Sequence, residues 1–178
     1  MINDIAKILI DEETLKSRVK ELGKQLSRDY KDKELLMIGV LKGSVVFISD
    51  LMRAVDCFAR IDFMAVSSYG SGTQTSGAVK ILKDISIPLE NYDVLLVEDI
   101  LDSGLTLEYL RRVLTLRHPR DIKIAALLDK PERRKADIRP DYLGFTIPDE
   151  FVVGYGLDYD EKYRNLPFVG VLKPELYK

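Results

Sequence analysis

The segment Val94-Leu95-Leu96-Val97-Glu98-Asp99-Ile100-Leu101-Asp102-Ser103-Gly104-Leu105-Thr106 decides how the rest of the chain is read. Its four leading apolar residues suit a strand buried on both faces, and that strand runs out into two adjacent carboxylates. A third acid, Asp102, stands just before a Ser-Gly-x-Thr turn that opens a helix. In open α/β sheets, ligands bind at the carboxyl ends of strands. The N–H groups of such a turn lie at the positive end of the helix and suit a phosphate. Ser103 and Thr106 add hydroxyl donors, Leu105 lies between them, and Gly104 lets the backbone approach an anion closely. Three acids beside a phosphate cradle repel the anion unless they hold something else. Sugar hydroxyls or a divalent cation would satisfy them.

Outward from this segment the pattern alternates between strands and helices. Residues 12–30 place Leu15, Val19, Leu22 and Leu26 on one face of an amphipathic helix. Residues 35–41 form a continuous apolar run, as a doubly buried strand would. Ser44 follows as the expected cap of a helix through Val55. A β-rich run over 61–67 leads into residues 68–77, which have three glycines and no core-forming pattern, and are read as a mobile loop. A strand is expected at 79–82, a helix over 106–116 ended by Pro119, and another buried strand at 122–128. This order implies right-handed crossovers and a mostly parallel sheet flanked by helices. Residues 141–177, with scattered prolines and five tyrosines, read as a hood over the sheet's edge within one domain spanning 1–178.

Composition narrows the class. The chain has 178 residues, 46% apolar and 31% charged, and its 27 basic and 29 acidic side chains leave a net charge of -2. So balanced a surface is not built to hold nucleic acid or anionic lipid by bulk charge. No apolar run approaches the roughly 18 residues of a membrane helix. The first residues lack a signal-peptide layout. The single cysteine, Cys57, excludes an internal disulfide and is read as a small buried apolar residue. The expectation is a cytoplasmic, soluble domain.

The common phosphate motifs fail. Residues 39–44 have the wrong spacing for a nucleoside-triphosphate P-loop, and Gly70-x-Gly72 lies in a loop instead of opening a helix. What fits Val94–Thr106 is the phosphoribosyltransferase signature, a site for 5-phosphoribosyl 1-diphosphate. Further landmarks are Leu41-Lys42-Gly43-Ser44, Ser67-Ser68-Tyr69-Gly70, Leu128-Asp129-Lys130, Phe151-Val152-Val153-Gly154-Tyr155-Gly156-Leu157-Asp158-Tyr159 and Tyr163-Arg164-Asn165-Leu166-Pro167. From Ile5 to Tyr177 the chain resembles the bacterial hypoxanthine (hypoxanthine-guanine) phosphoribosyltransferases, of the type I phosphoribosyltransferase fold.

The resemblance implies roles position by position. Lys42, Gly43 and Arg164 would bind diphosphate, with a cis peptide between Leu41 and Lys42. Glu98 and Asp99 would hold the ribose hydroxyls and Mg²⁺, and Asp158 would serve a second Mg²⁺ beside the purine. The turn Asp102–Thr106 would take ribose and 5′-phosphate, with Asp102 also the base at purine N7. Lys130 would donate to the 6-oxo oxygen, Phe151 would stack on the ring and the Val152 backbone would read its edge. Ser68 and Tyr69 would begin a closing lid. The implied reaction transfers phosphoribosyl to N9 of hypoxanthine or guanine, giving IMP or GMP and diphosphate, in a homodimer or homotetramer. A nucleotide-sensing regulator without turnover and a xanthine-preferring enzyme are the alternatives.

Without that resemblance, several of these residues read blandly. Glu98, Asp99 and Asp102 would be a solvated strand end, Lys42 and Arg164 surface cations, and Phe151 core. His118 is read as structural, and Arg133, Arg134 and Lys135 as surface in a solvated basic turn.

Overall fold

The structure, a computed structural model, describes residues 1–68 and 79–177, with the backbone alone at Ser68. In chain order the elements are β1 (Ile5–Ile10), α1 (Glu12–Asp29), β2 (Leu35–Leu41), α2 (Val45–Ala54), β3 (Ala59–Ser68), β4 (Val79–Lys83), β5 (Asp93–Leu101), α3 (Leu105–Thr115), β6 (Asp121–Asp129), β7 (Tyr142–Thr146), β8 (Val152–Val153) and β9 (Val169–Leu172). A six-stranded sheet runs β4-β3-β2-β5-β6-β7. All its neighbours pair in parallel except β3 with β4.

Alternation along the strands builds two cores. Leu35, Met37, Leu95 and Val97 face α1 and α2, where Leu15, Leu22, Leu26, Phe47 and Leu51 meet them. Leu36, Ile38, Val94 and Leu96 face the other way, onto Leu107, Leu110 and Leu114 of α3. Both faces are covered, which is why these strands read as unbroken apolar runs. The helix expected over 12–30 forms as α1, where the Asp11 carboxylate accepts from the Thr14 N–H at 2.7 Å.

Three local expectations change. Ser44 stands at the cap position of α2, but its buried hydroxyl donates to the Val40 carbonyl at 2.7 Å and caps nothing. The strand ahead of the acids does not end at Val97: β5 continues through Glu98 and Asp99 to Leu101, because it still pairs with β6 there. Residues 142–146 are not hood but the sixth strand of the main sheet, pairing in parallel with β6. The small sheet behind the hood instead recruits the N-terminal strand, in the order β1-β9-β8. Long-range pairing made both choices. The lid expected from Ser68 and Tyr69 falls on the last residue of β3 and on residues outside those described.

Candidate active site

Strand order reverses at β2: the chain moves to β3 on one side and later returns to β5 on the other. Clefts at such switch points, beyond the carboxyl ends of the strands, are where open sheets bind ligands. Leu41-Lys42-Gly43 leaves β2 there and the acidic segment leaves β5. The peptide bond between Leu41 and Lys42 is cis, matching the resemblance.

Because β5 runs through both acids, its period-2 geometry sends Glu98 and Asp99 to opposite faces. Asp99 turns toward β2, where a Cβ added to Gly43 would lie 1.7 Å from its Oδ2. Burial raises the Asp99 pKa to about 6, with Asp158 adding repulsion while the Ile100 N–H and Arg164 counter it. Glu98 turns to the α3 side, where a cavity of about 80 Å³ is lined by Glu98, Asp102, Ser103, Gly104 and Thr106. Its Oε2 is buried and accepts no hydrogen bond from the described residues. Burial first, then Asp99, push its pKa well above the usual carboxylate range.

Asp102 lies at the mouth of the same cavity. Its Oδ1 is also buried, without a partner among the described residues. Gly104 takes φ +81°, and a Cβ there would stand 2.6 Å from Ile138 Cγ2, so packing demands glycine as firmly as any ligand would. Among the described residues no side chain caps α3; Ser103 Oγ reaches the Leu105 N–H only at a long 3.4 Å. The first-turn amides of α3 therefore remain open to an anion.

At the far wall Lys130 is 6% exposed. Its Nζ donates to the Glu150 carbonyl at 2.6 Å and lies 3.9 Å from Asp149 Oδ1. Burial depresses its pKa, partly offset by Asp102, which places that carboxylate in its field. Phe151 is not core: its ring is partly exposed, stacks on Tyr177 at 4.6 Å and 23°, and meets Tyr159 edge-on at 5.6 Å. Val152, in β8, pairs with Val171 of β9.

Two cations read as surface by pattern are engaged. Arg164 pairs with Asp158 at 2.8 Å and donates to the Gly156 carbonyl at 2.8 Å. Lys42, although exposed, reaches Glu161 at 3.0 Å. Asp158 also accepts from the Glu161 N–H at 2.9 Å. Among the described residues no three His, Cys, Asp or Glu gather into a metal cage. Magnesium usually binds through one or two carboxylates completed by substrate oxygens and water. The partnerless Glu98 oxygen fits a cation of that kind arriving with an anionic ligand.

The sequence reading missed Arg133 and Arg134. Arg134 is half-buried and donates to the carbonyls of Leu101, Asp102 and Ile138 while pairing with Asp129, which fastens the turn to β6. Arg133 pairs with Asp149 and Asp102. A short basic run carries no signal that separates such anchors from solvated charge.

Comparison with known proteins agrees with this architecture. The phosphoribosyl transferase domain family matches residues 7–160, and the chain belongs to that family. Within it, the chain is 54% identical over 178 residues to the hypoxanthine-guanine phosphoribosyltransferase of Bacillus subtilis, covering 100% of this chain and 99% of that one. The bifunctional protein TilS/HprT of Listeria monocytogenes is 52% identical over 99% of this chain, which spans 27% of that longer protein. A crystal structure of a hypoxanthine phosphoribosyltransferase from Staphylococcus aureus superimposes with a TM-score of 0.97 at 53% identity, covering 100% of this chain and 97% of that one.

Proposed function

We propose that this chain transfers the 5-phosphoribosyl group of 5-phosphoribosyl 1-diphosphate to N9 of hypoxanthine or guanine, yielding IMP or GMP and diphosphate. The observation that carries the reading is the pairing of an open helix-α3 N-terminus with the partnerless Asp102 Oδ1, in the field of the buried Lys130. The amides after Gly104 bind the 5′-phosphate with Ser103 and Thr106, and Glu98 and Asp99 engage the ribose and cation. Mg²⁺, when bound, neutralises the donor's diphosphate and eases its departure. Lys42, the Gly43 backbone and Arg164 hold that diphosphate. As the C1′–O bond breaks, its electron pair leaves with diphosphate and N9 forms the new bond to C1′. The N7 proton passes to Asp102, which removes the charge the ring gains.

Lys130 donates to the 6-oxo oxygen, Phe151 stacks on the base, and the Val152 backbone and Asp158 read its far edge. A regulator that only senses nucleotides has no use for Asp102 or for the Lys42-Gly43 loop. The same reading places the protein in the cytoplasm, as a homodimer or homotetramer; the fully exposed Phe58 is an apolar group suited to a subunit contact. One panel tests it: diphosphate release from the donor with hypoxanthine, guanine, xanthine and adenine, with Mg²⁺ and in chelator. Mg²⁺-dependent release with hypoxanthine or guanine is expected. Release from none of the bases would overturn the reading, and release with xanthine alone would move the acceptor.

A further inference from the structure

Arg133 closes the short turn Pro131–Arg133 that follows Lys130. Its Nε lies 2.6 Å from Asp149 Oδ1 and its Nη1 lies 3.5 Å from Asp102 Oδ2. The other Asp102 oxygen, Oδ1, is the buried one that accepts no hydrogen bond from the described residues. Arg133 is thus the cation that pairs with Asp102 among the described residues. Its neighbours are committed elsewhere: Arg134 holds three carbonyls and Asp129, and Lys130 holds the Glu150 carbonyl. The two carboxylates it joins belong to different parts of the site. Asp102 precedes the phosphate turn, while Asp149 lies in the loop that delivers Phe151. A planar guanidinium carries donors enough to fix two carboxylates together, which an ammonium does less well.

We propose that Arg133 is a positioning residue for the transfer reaction: it pairs with Asp102 Oδ2 and fixes the orientation of that carboxylate beside the purine site. The inference rests on the role given to Asp102 above. Arg133 is exposed on one side, and ion pairs of that kind add little to stability. Removing the side chain therefore leaves the fold intact and releases the carboxylate.

A double-mutant cycle tests this, with hypoxanthine as acceptor, saturating donor and Mg²⁺, and a thermal melt on every variant. Arg133→Ala should lower kcat about tenfold while the donor KM stays within about twofold, and Arg133→Lys should recover part of the loss. In the Asp102→Asn background, Arg133→Ala should change kcat less than about twofold, because the residue acts through a carboxylate that is gone. Equal losses in both backgrounds, or a rise in purine KM at unchanged kcat, would overturn the proposal and leave the role of Asp102 standing. Wild-type turnover by Asp102→Asn alone would instead overturn that role and this inference with it.

Discussion

Asp99 is a partly buried carboxylate that the fold holds against its own ionisation. Its pKa rises from 3.8 to about 6, with burial the largest cause. Each unit of such a shift corresponds to about 1.4 kcal/mol, so the ionised form costs the folded chain up to about 3 kcal/mol. Partial access to water lowers that figure to about 1–3 kcal/mol. The sign follows from the direction. A carboxyl whose pKa is raised on folding contributes stability that is complete below the unfolded value and is lost as pH rises through the folded one. Asp99→Asn removes the charge and keeps an oxygen that can accept from Ile100. It also relieves Glu98, whose ionisation Asp99 opposes. In metal-free buffer at pH 7.5 the variant should therefore be more stable than the wild type. At about 2–4 °C per kcal/mol for a domain of this size, its Tm should rise by a few degrees. The gap should narrow between pH 6 and pH 4, as the wild-type carboxyl takes up its proton. Donor with Mg²⁺ should raise the Tm of the wild type far more than that of the variant. Thermal melts across pH 4–8, in chelator and with donor plus Mg²⁺, measure all of this. A variant less stable than the wild type at pH 7.5, or a gap that ignores pH, would refute the reasoning.

Gly43→Ala would put a Cβ within 1.7 Å of Asp99 Oδ2, so the carboxylate must move. Donor KM should rise at least about tenfold, as read from initial rates, since a displaced group near the reacting atoms is costly. Lys130→Gln replaces a buried ammonium with an amide that can face either a carbonyl or an amine. The preference for hypoxanthine over adenine, expected to be about 10⁴ in kcat/KM for a buried polar mismatch, should fall by at least about tenfold. Tyr177→Ala uncovers the ring of Phe151, which stacks on it at 4.6 Å. Loss of an aromatic pair is worth about 0.5–1.5 kcal/mol, so purine KM should rise roughly two- to tenfold with donor KM unchanged.

What was legible in the sequence was what neighbours along the chain determine. The apolar runs at 35–41 and 122–128 could only be strands covered on both faces. The Ser-Gly-x-Thr turn could only open a helix after a strand. The site's acids were equally visible, because strand, carboxylates and turn are contiguous. Less legible was anything that pairing across the chain decides. Tyr142–Thr146 shares its scattered composition with the hood and joins the main sheet only because β6 offers it an edge. Nothing in Ile5–Ile10 announces that it pairs with Val169–Leu172, more than a hundred and fifty residues away. The parting of Glu98 from Asp99 depended on whether the strand stopped before them or ran through them. Arg134 reads as a solvated charge until the carbonyls of Leu101, Asp102 and Ile138 converge on it.

Lys42 ties the loop after β2 to the hood through its ion pair with Glu161, as a mortise joint ties two beams. Inside the hood Arg164 grips Asp158 and Gly156, and Gly156 lies so close to the Gly43 carbonyl that an added Cβ would sit 2.1 Å from it. In the proposed reaction, anything that shifts the loop assigned to the donor's diphosphate is felt in the wall assigned to the base. Coupling of that kind is reciprocal: whatever factor the donor adds to the affinity for a purine, the purine adds to the affinity for the donor.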